Sequence, residues 1–210
     1  MRLAEKTIEL TFCSQFSQAT NAGMVWFGLT QKQEARAGFD ACTRIGGRLL
    51  LLQFKASNYI LRNGYRRFIL QHDQLDALRL RCQHHYRSVF YVFPLVGSTR
   101  EIQRNPNLLS QTCLLDVAIL PAIPYPTTRG GNRRKSGYHY ADVIPNMVTI
   151  HSEPIDIELI PAIEFAQKDF PGADGINWVF NHNFDEFWKF TRIFSHNAVG
   201  VIIPLPGWKT

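Results

Sequence analysis

Residues 30–57, TQKQEARAGFDACTRIGGRLLLLQFKAS, decide how the rest of the chain is read. Thr30 stands where a helix N-cap belongs, and Gln33 follows three residues later as in a capping box. The spacing predicts a short polar helix carrying Glu34, then a strand opening on Gly38-Phe39-Asp40. Gly46-Gly47 supplies the turn of a hairpin. The second strand covers residues 48–56. Four leucines in a row, Leu49 to Leu52, show no alternation, so both faces of this strand are expected to be covered and the strand to be central. Side chains alternate along a strand, which puts Gln53 and Lys55 on one face and Phe54 on the other. A lysine ending so apolar a run needs a partner, because an unpaired buried ammonium is costly. Asp40 and Glu34 are the nearest candidates.

The order Glu34, Gly38-Phe39-Asp40, hairpin, Gln53-Phe54-Lys55 resembles the core of the PD-(D/E)XK, or restriction-endonuclease-like, nuclease superfamily. The resemblance implies an α/β fold: a three-layer α/β/α sandwich with a central mixed sheet. It also implies a metal-dependent phosphodiesterase site, with Glu34 as the helix acid, Asp40 as the strand acid, Gln53 at the variable position and Lys55 as the lysine. Glu34, Asp40 and Gln53 would then hold Mg²⁺ or Mn²⁺, and all four residues would be catalytic. Gln53 departs from the commoner acid. It offers a metal only a neutral carbonyl, so such a site has one negative charge fewer. The plain alternative is a structural ion pair in a fold without chemistry, since a lone Gln-x-Lys at a strand end is usually an ordinary sheet edge.

The chain has 210 residues, of which 45% are hydrophobic and 12% aromatic, enough for a real core. The formal net charge of +6 mildly favours a polyanionic partner, although basic proteins without one are common, and the resemblance makes that partner nucleic acid, DNA before RNA. No apolar run approaches a membrane span, and the first ten residues are too polar for a signal peptide. Cys13, Cys42, Cys82 and Cys113 stand singly, without zinc spacing, as expected of reduced cysteines in a cytoplasmic protein.

Upstream, Ile8, Phe12 and Phe16 mark an amphipathic helix over residues 4–16. Glu5 and Glu9 are read as its solvated face, with a lean toward the cleft as the alternative. Residues 17–29 read as a loop. Downstream, the basic passage 58–68 contains Arg66 and Arg67, read equally well as phosphate contacts and as a solvated turn. Residues 71–85 form the next helix. At its start Gln74 is a second-tier site candidate and His72 a third, because some branches of the superfamily turn a glutamine or histidine of this helix toward the site. His84-His85 is read as surface.

Residues 88–96 and 112–120 read as buried strands around a short helix, the pattern of an α/β sheet with helices on both faces. Residues 1–120 would be the nuclease-like core. Residues 121–137 would be a proline- and glycine-rich basic loop, with Arg129, Arg133, Arg134 and Lys135 either closing on nucleic acid or solvated. Residues 138–210 would elaborate the same domain. Their aromatic tail, rich in Trp and Phe from Trp178 to Phe194, suits a core or a homodimer interface better than base stacking. Serine-elbow, P-loop, dinucleotide and H-E-x-x-H motifs are missing. Three classes survive: a metal-dependent nuclease, a degenerate nuclease fold that binds nucleic acid, and an interaction or oligomeric protein.

Overall fold

The computed structural model describes residues 1–20, 24–45, 48–57, 59–84, 88–127, 131, 137–152, 155–167 and 199–202. The decisive stretch folds as α2 (Gln31–Ala37), β2 (Ala41–Ile45) and β3 (Arg48–Phe54), after α1 (Glu5–Thr20) and β1 (Val25–Gly28). Gln33 accepts from the Thr30 amide at 2.8 Å, one arm of the expected capping box. Gly38 closes α2 in the left-handed region, φ 82°. The segment read as a loop before Thr30 instead extends α1 by four residues and supplies β1.

β2 and β3 pair antiparallel, Ala41 opposite Leu52. β3 also pairs in parallel with β5 (Val89–Pro94), which pairs antiparallel with β6 (Thr112–Asp116). With β10 (Ile160–Pro161) and β11 (Val199–Ile202) the main sheet is mixed, in the order β10-β6-β5-β3-β2-β1-β11. β3 is central, as its leucines foretold. Leu50 and Leu52 face a core with Ile8, Phe12 and Phe16 of α1 and Phe165 of α5 (Ala162–Gln167). Leu49 and Leu51 face the other core, with Leu75 and Leu78 of α3 (His72–His84).

That second face departs from the expected cover of helices alone. A four-stranded sheet shares it, in the order β4-β7-β8-β9, built from β4 (Arg66–Gln71), β7 (Tyr138–Ile144), β8 (Met147–Ile150) and β9 (Ile155–Glu158). Alternation explains it: Phe68 and Leu70 of β4 and Ala141 and Val143 of β7 are buried in the shared core. β4 sits in the expected core segment and β7 beyond the basic loop, yet they pair over six residues. Among the described residues, no helix is long and apolar enough to cross a membrane.

Gly38 also fixes how closely α2 meets α3. A Cβ there would lie 2.9 Å from the Ala77 Cβ and 3.3 Å from the Gln74 carbonyl oxygen, on a backbone that disfavours L side chains. Gly38→Ala is expected to cost roughly 1–3 kcal/mol, read as a lower urea midpoint at unchanged slope.

Candidate active site

The hairpin turns at one end and opens at the other, and its open end gathers the sequence candidates. Asp40 lies one residue before β2, its amide donating to the Leu52 carbonyl at 2.9 Å. Its Oδ2 accepts from the Gln53 Nε2 and from the Phe54 amide, each at 2.6 Å. Asp40 and Gln53 are 8% and 2% exposed, so this contact is sealed from solvent. The Gln53 amide also donates to the Phe54 carbonyl at 2.9 Å, while its Oε1 is buried without a partner. A buried acceptor left unpaired is an exception that calls for a reason.

Lys55 follows the C-terminal end of β3, where open α/β sheets place ligands. Its amide donates to the Val92 carbonyl at 3.1 Å, continuing the pairing with β5. Its Nζ donates to Gln74 Oε1 at 2.6 Å and lies 6.0 Å from the centroid of the Tyr91 ring. The alternation read from sequence therefore holds. Gln53 and Lys55 share the α3 side, while Phe54 packs edge-on against Phe12 of α1.

Burial pushes the Asp40 carboxyl up to about 7, with Glu34 and Glu5 adding to the rise and the Phe54 amide and Lys55 opposing it. Burial lowers the Lys55 pKa, with Glu5 and Asp40 pulling it back up. Glu34 is half-buried and raised by desolvation, with Lys6 opposing and Glu9 and Glu5 reinforcing the shift. It feels the other acids through space, and its side chain hydrogen-bonds neither Asp40 nor Gln53. Among the described residues, no group of three or more His, Cys, Asp or Glu side chains is arranged to hold a metal ion.

Glu5 is exposed, as its place on a solvated face implies, and it also takes the alternative lean toward the cleft, whereas Glu9 departs from the solvated reading. The Glu5 Oε1 accepts from the Ala56 amide at 3.0 Å, just past Lys55. Glu9 is 6% exposed and paired with Lys6 at 2.7 Å. The signal was available: positions 5, 8, 9, 12, 13 and 16 share one helical face, so both acids ride on the stripe of Ile8, Phe12 and Phe16.

The remaining candidates separate. Gln74 joins the site through Lys55. His72 turns away, its Nδ1 2.9 Å from His139 Nε2. Arg66 faces inward with Phe68 and Leu70, donating to the Ser57 carbonyl at 2.7 Å and to Glu101 at 3.1 Å, so it presents no free guanidinium to a phosphate. Arg67, one residue on, faces outward. It holds Asp142 through two bonds of 2.6 and 2.7 Å and lies 5.0 Å from the Tyr140 ring centroid. A cleft of about 650 Å³ runs past Glu5, Lys55, Tyr59, Arg67, Gln71 and Tyr140. Arg129, Arg133, Arg134 and Lys135 lie outside the described residues, as does the aromatic segment from Trp178 to Phe194. No family model matches the chain, and no curated protein matches it.

Proposed function

We propose that the protein is a metal-dependent nuclease with a restriction-endonuclease-like core, hydrolysing phosphodiester bonds of nucleic acid, DNA in the first place. The observation that carries this reading is the meeting of Asp40, Gln53 and Lys55 at the open end of one hairpin, beside the cleft, with acids of α1 and α2 in electrostatic range.

The donor set fits a hard cation, Mg²⁺ or Mn²⁺, because it consists of oxygens and includes the partnerless carbonyl of Gln53. Mg²⁺ typically keeps several waters and takes only one or two carboxylates besides substrate phosphate, so a three-acid cage is not required. Asp40 and Gln53 would hold the ion only with the Gln53 amide turned so that its carbonyl, and not its NH₂, faces the carboxylate and the buried contact opens, Glu34 and Glu5 adding negative potential. When bound, it polarises the scissile phosphate and lowers the pKa of a coordinated water.

Lys55 orients or deprotonates the attacking water and stabilises the charge that builds on the phosphorus oxygens. Gln74 fixes the lysine's reach, since its carbonyl oxygen takes one of the three ammonium protons. Burial that weakens the ammonium also brings it nearer to the proton-accepting form.

The test is cleavage of labelled single-stranded and duplex DNA and of RNA with Mg²⁺ or Mn²⁺, against EDTA. If no substrate is cut and calorimetry detects no Asp40-dependent metal uptake, the second reading takes over: a degenerate nuclease fold that binds nucleic acid. The neutral Gln53 and the lack of a three-ligand group among the described residues favour that outcome. Gln53→Glu is expected to tighten Mg²⁺ roughly tenfold by adding a charged oxygen, with activity kept or raised. In EDTA the same variant should lose roughly 1–3 kcal/mol of stability, because two carboxylates then share a buried site.

A further inference from the structure

Beyond the cleft, on the far side of Tyr140, lies a second pocket of about 380 Å³. Its walls are aromatic: Tyr125, Tyr138, Tyr140 and His151. The Tyr138 and Tyr140 rings meet edge to face at 5.2 Å, their hydroxyls 3.1 Å apart, and Tyr140 meets His151 at 6.3 Å. Tyr140 lines both cavities and carries the Arg67 guanidinium over its ring. A strand held by Lys55 and Arg67 in the cleft therefore passes directly beside this pocket.

The polar end of the pocket is a directed chain. Ser152 Oγ bonds His139 Nδ1, His139 Nε2 meets His72 Nδ1, and His72 Nε2 lies 3.2 Å from Asp76 Oδ2. A carboxylate only accepts, so His72 faces it with its Nε2–H, and in the tautomer that carries this proton alone its Nδ1 is an acceptor. In that tautomer His139 donates through Nε2, and its Nδ1 accepts the Ser152 hydroxyl proton. His139 is 1% exposed, and its pKa is lowered by burial first and by His72 second, which favours this neutral form. With its proton committed inward, the exposed Ser152 presents only lone pairs to the pocket.

Flat aromatic walls, an acceptor at one end and a wall shared with the cleft that holds Lys55 and Arg67 point to one chemistry. We propose that the pocket takes an unpaired nucleobase of a strand lying in the Lys55 cleft, stacked on the tyrosines and preferred when its edge carries an amino group. A duplex keeps its bases stacked inside, so the ligand class is nucleic acid with single-stranded character beside the cleft. The inference rests on the nucleic-acid part of the proposed function, and not on cleavage.

The experiment is fluorescence-anisotropy binding of labelled oligo-dC, oligo-dT and a blunt duplex at pH 8 in EDTA, so that no metal-dependent step enters. Wild type should prefer single strands over duplex, and dC over dT. Tyr140→Leu and Tyr138→Leu should each weaken single-strand binding roughly 5- to 100-fold, the worth of one base stack, while Tyr140→Phe retains it. Ser152→Ala should erase the dC preference and leave dT binding unchanged. Equal binding of single strand and duplex, unaffected by the folded leucine variants, overturns the base pocket even if the protein cleaves DNA. Tyrosine-dependent single-strand binding without any metal-dependent cleavage upholds the pocket and removes the nuclease. Failure to bind any nucleic acid removes both.

Discussion

Asp40→Asn is expected to make the metal-free protein more stable at pH 8 while abolishing metal-dependent cleavage. The carboxyl is pushed from 3.8 to about 7 by burial, then by Glu34 and Glu5. The sign follows from linkage: a raised folded pKa contributes stability that is fully present below 3.8 and is lost as pH rises toward about 7. Above that range, holding Asp40 ionised costs the fold on the order of 4 kcal/mol. Asparagine keeps an oxygen acceptor for the Gln53 and Phe54 donors and carries no charge. Part of the cost returns as lost attraction to Lys55, so the net gain should be roughly 1–3 kcal/mol, or about 2–10 °C in Tm. The advantage of the variant should grow between pH 4 and 7 and level off above. Added Mg²⁺ should raise the wild-type Tm and leave the variant unmoved, since a ligand stabilises only the state that binds it. An Asn variant that melts lower than wild type at pH 8 in EDTA would remove the electrostatic account of Asp40.

Lys55→Ala separates binding from chemistry. The variant keeps Asp40 and Gln53 and removes a cation that hydrogen-bonds Gln74 and pulls the Asp40 pKa down. Metal affinity should therefore persist or rise. Cleavage should fall by roughly 10²–10³ or more, the scale seen when one preorganised stabiliser of developing charge is deleted. The metal-induced rise in Tm serves as the control, because it requires a folded site with its ligands in place. Loss of metal binding together with activity would make Lys55 a structural counter-ion for the buried acids, and not part of the chemistry.

The two variants probe residues only 15 positions apart, and that closeness explains why the sequence was informative here. A hairpin is local: β2 and β3 pair in a register that runs from Ile45 opposite Arg48 to Ala41 opposite Leu52, and that register places Asp40 against Gln53 and Phe54. The leucine run marks its strand as central through composition alone, and period 2 puts Lys55 on the side of Gln53. The capping residues of α2, the buried stripe of α1 and the strand character of β5 and β6 were readable for the same reason. Each depends on side chains a few residues apart.

What tertiary structure alone decided involves longer separations. Glu5 reaches the amide of Ala56 across 51 residues, and only the packing of α1 on β3 brings it there. Arg66 and Arg67 look alike in sequence. Pairing of β4 with β7 fixes which is buried against Glu101 and which faces the cleft over Tyr140. The second sheet joins strands on either side of the basic loop, a pairing that no local propensity encodes because its stabilisation comes from burying one face against a core built elsewhere. The Ser152–His139–His72–Asp76 chain likewise joins α3 to β7 and the turn after β8, so each member by itself reads as an ordinary polar residue. The sequence by itself determined the candidate chemistry at the open end of the hairpin. The tertiary fold decided which charges surround that chemistry, and which surface a substrate would meet, because desolvation and long-range pairing exist only once distant elements are packed together.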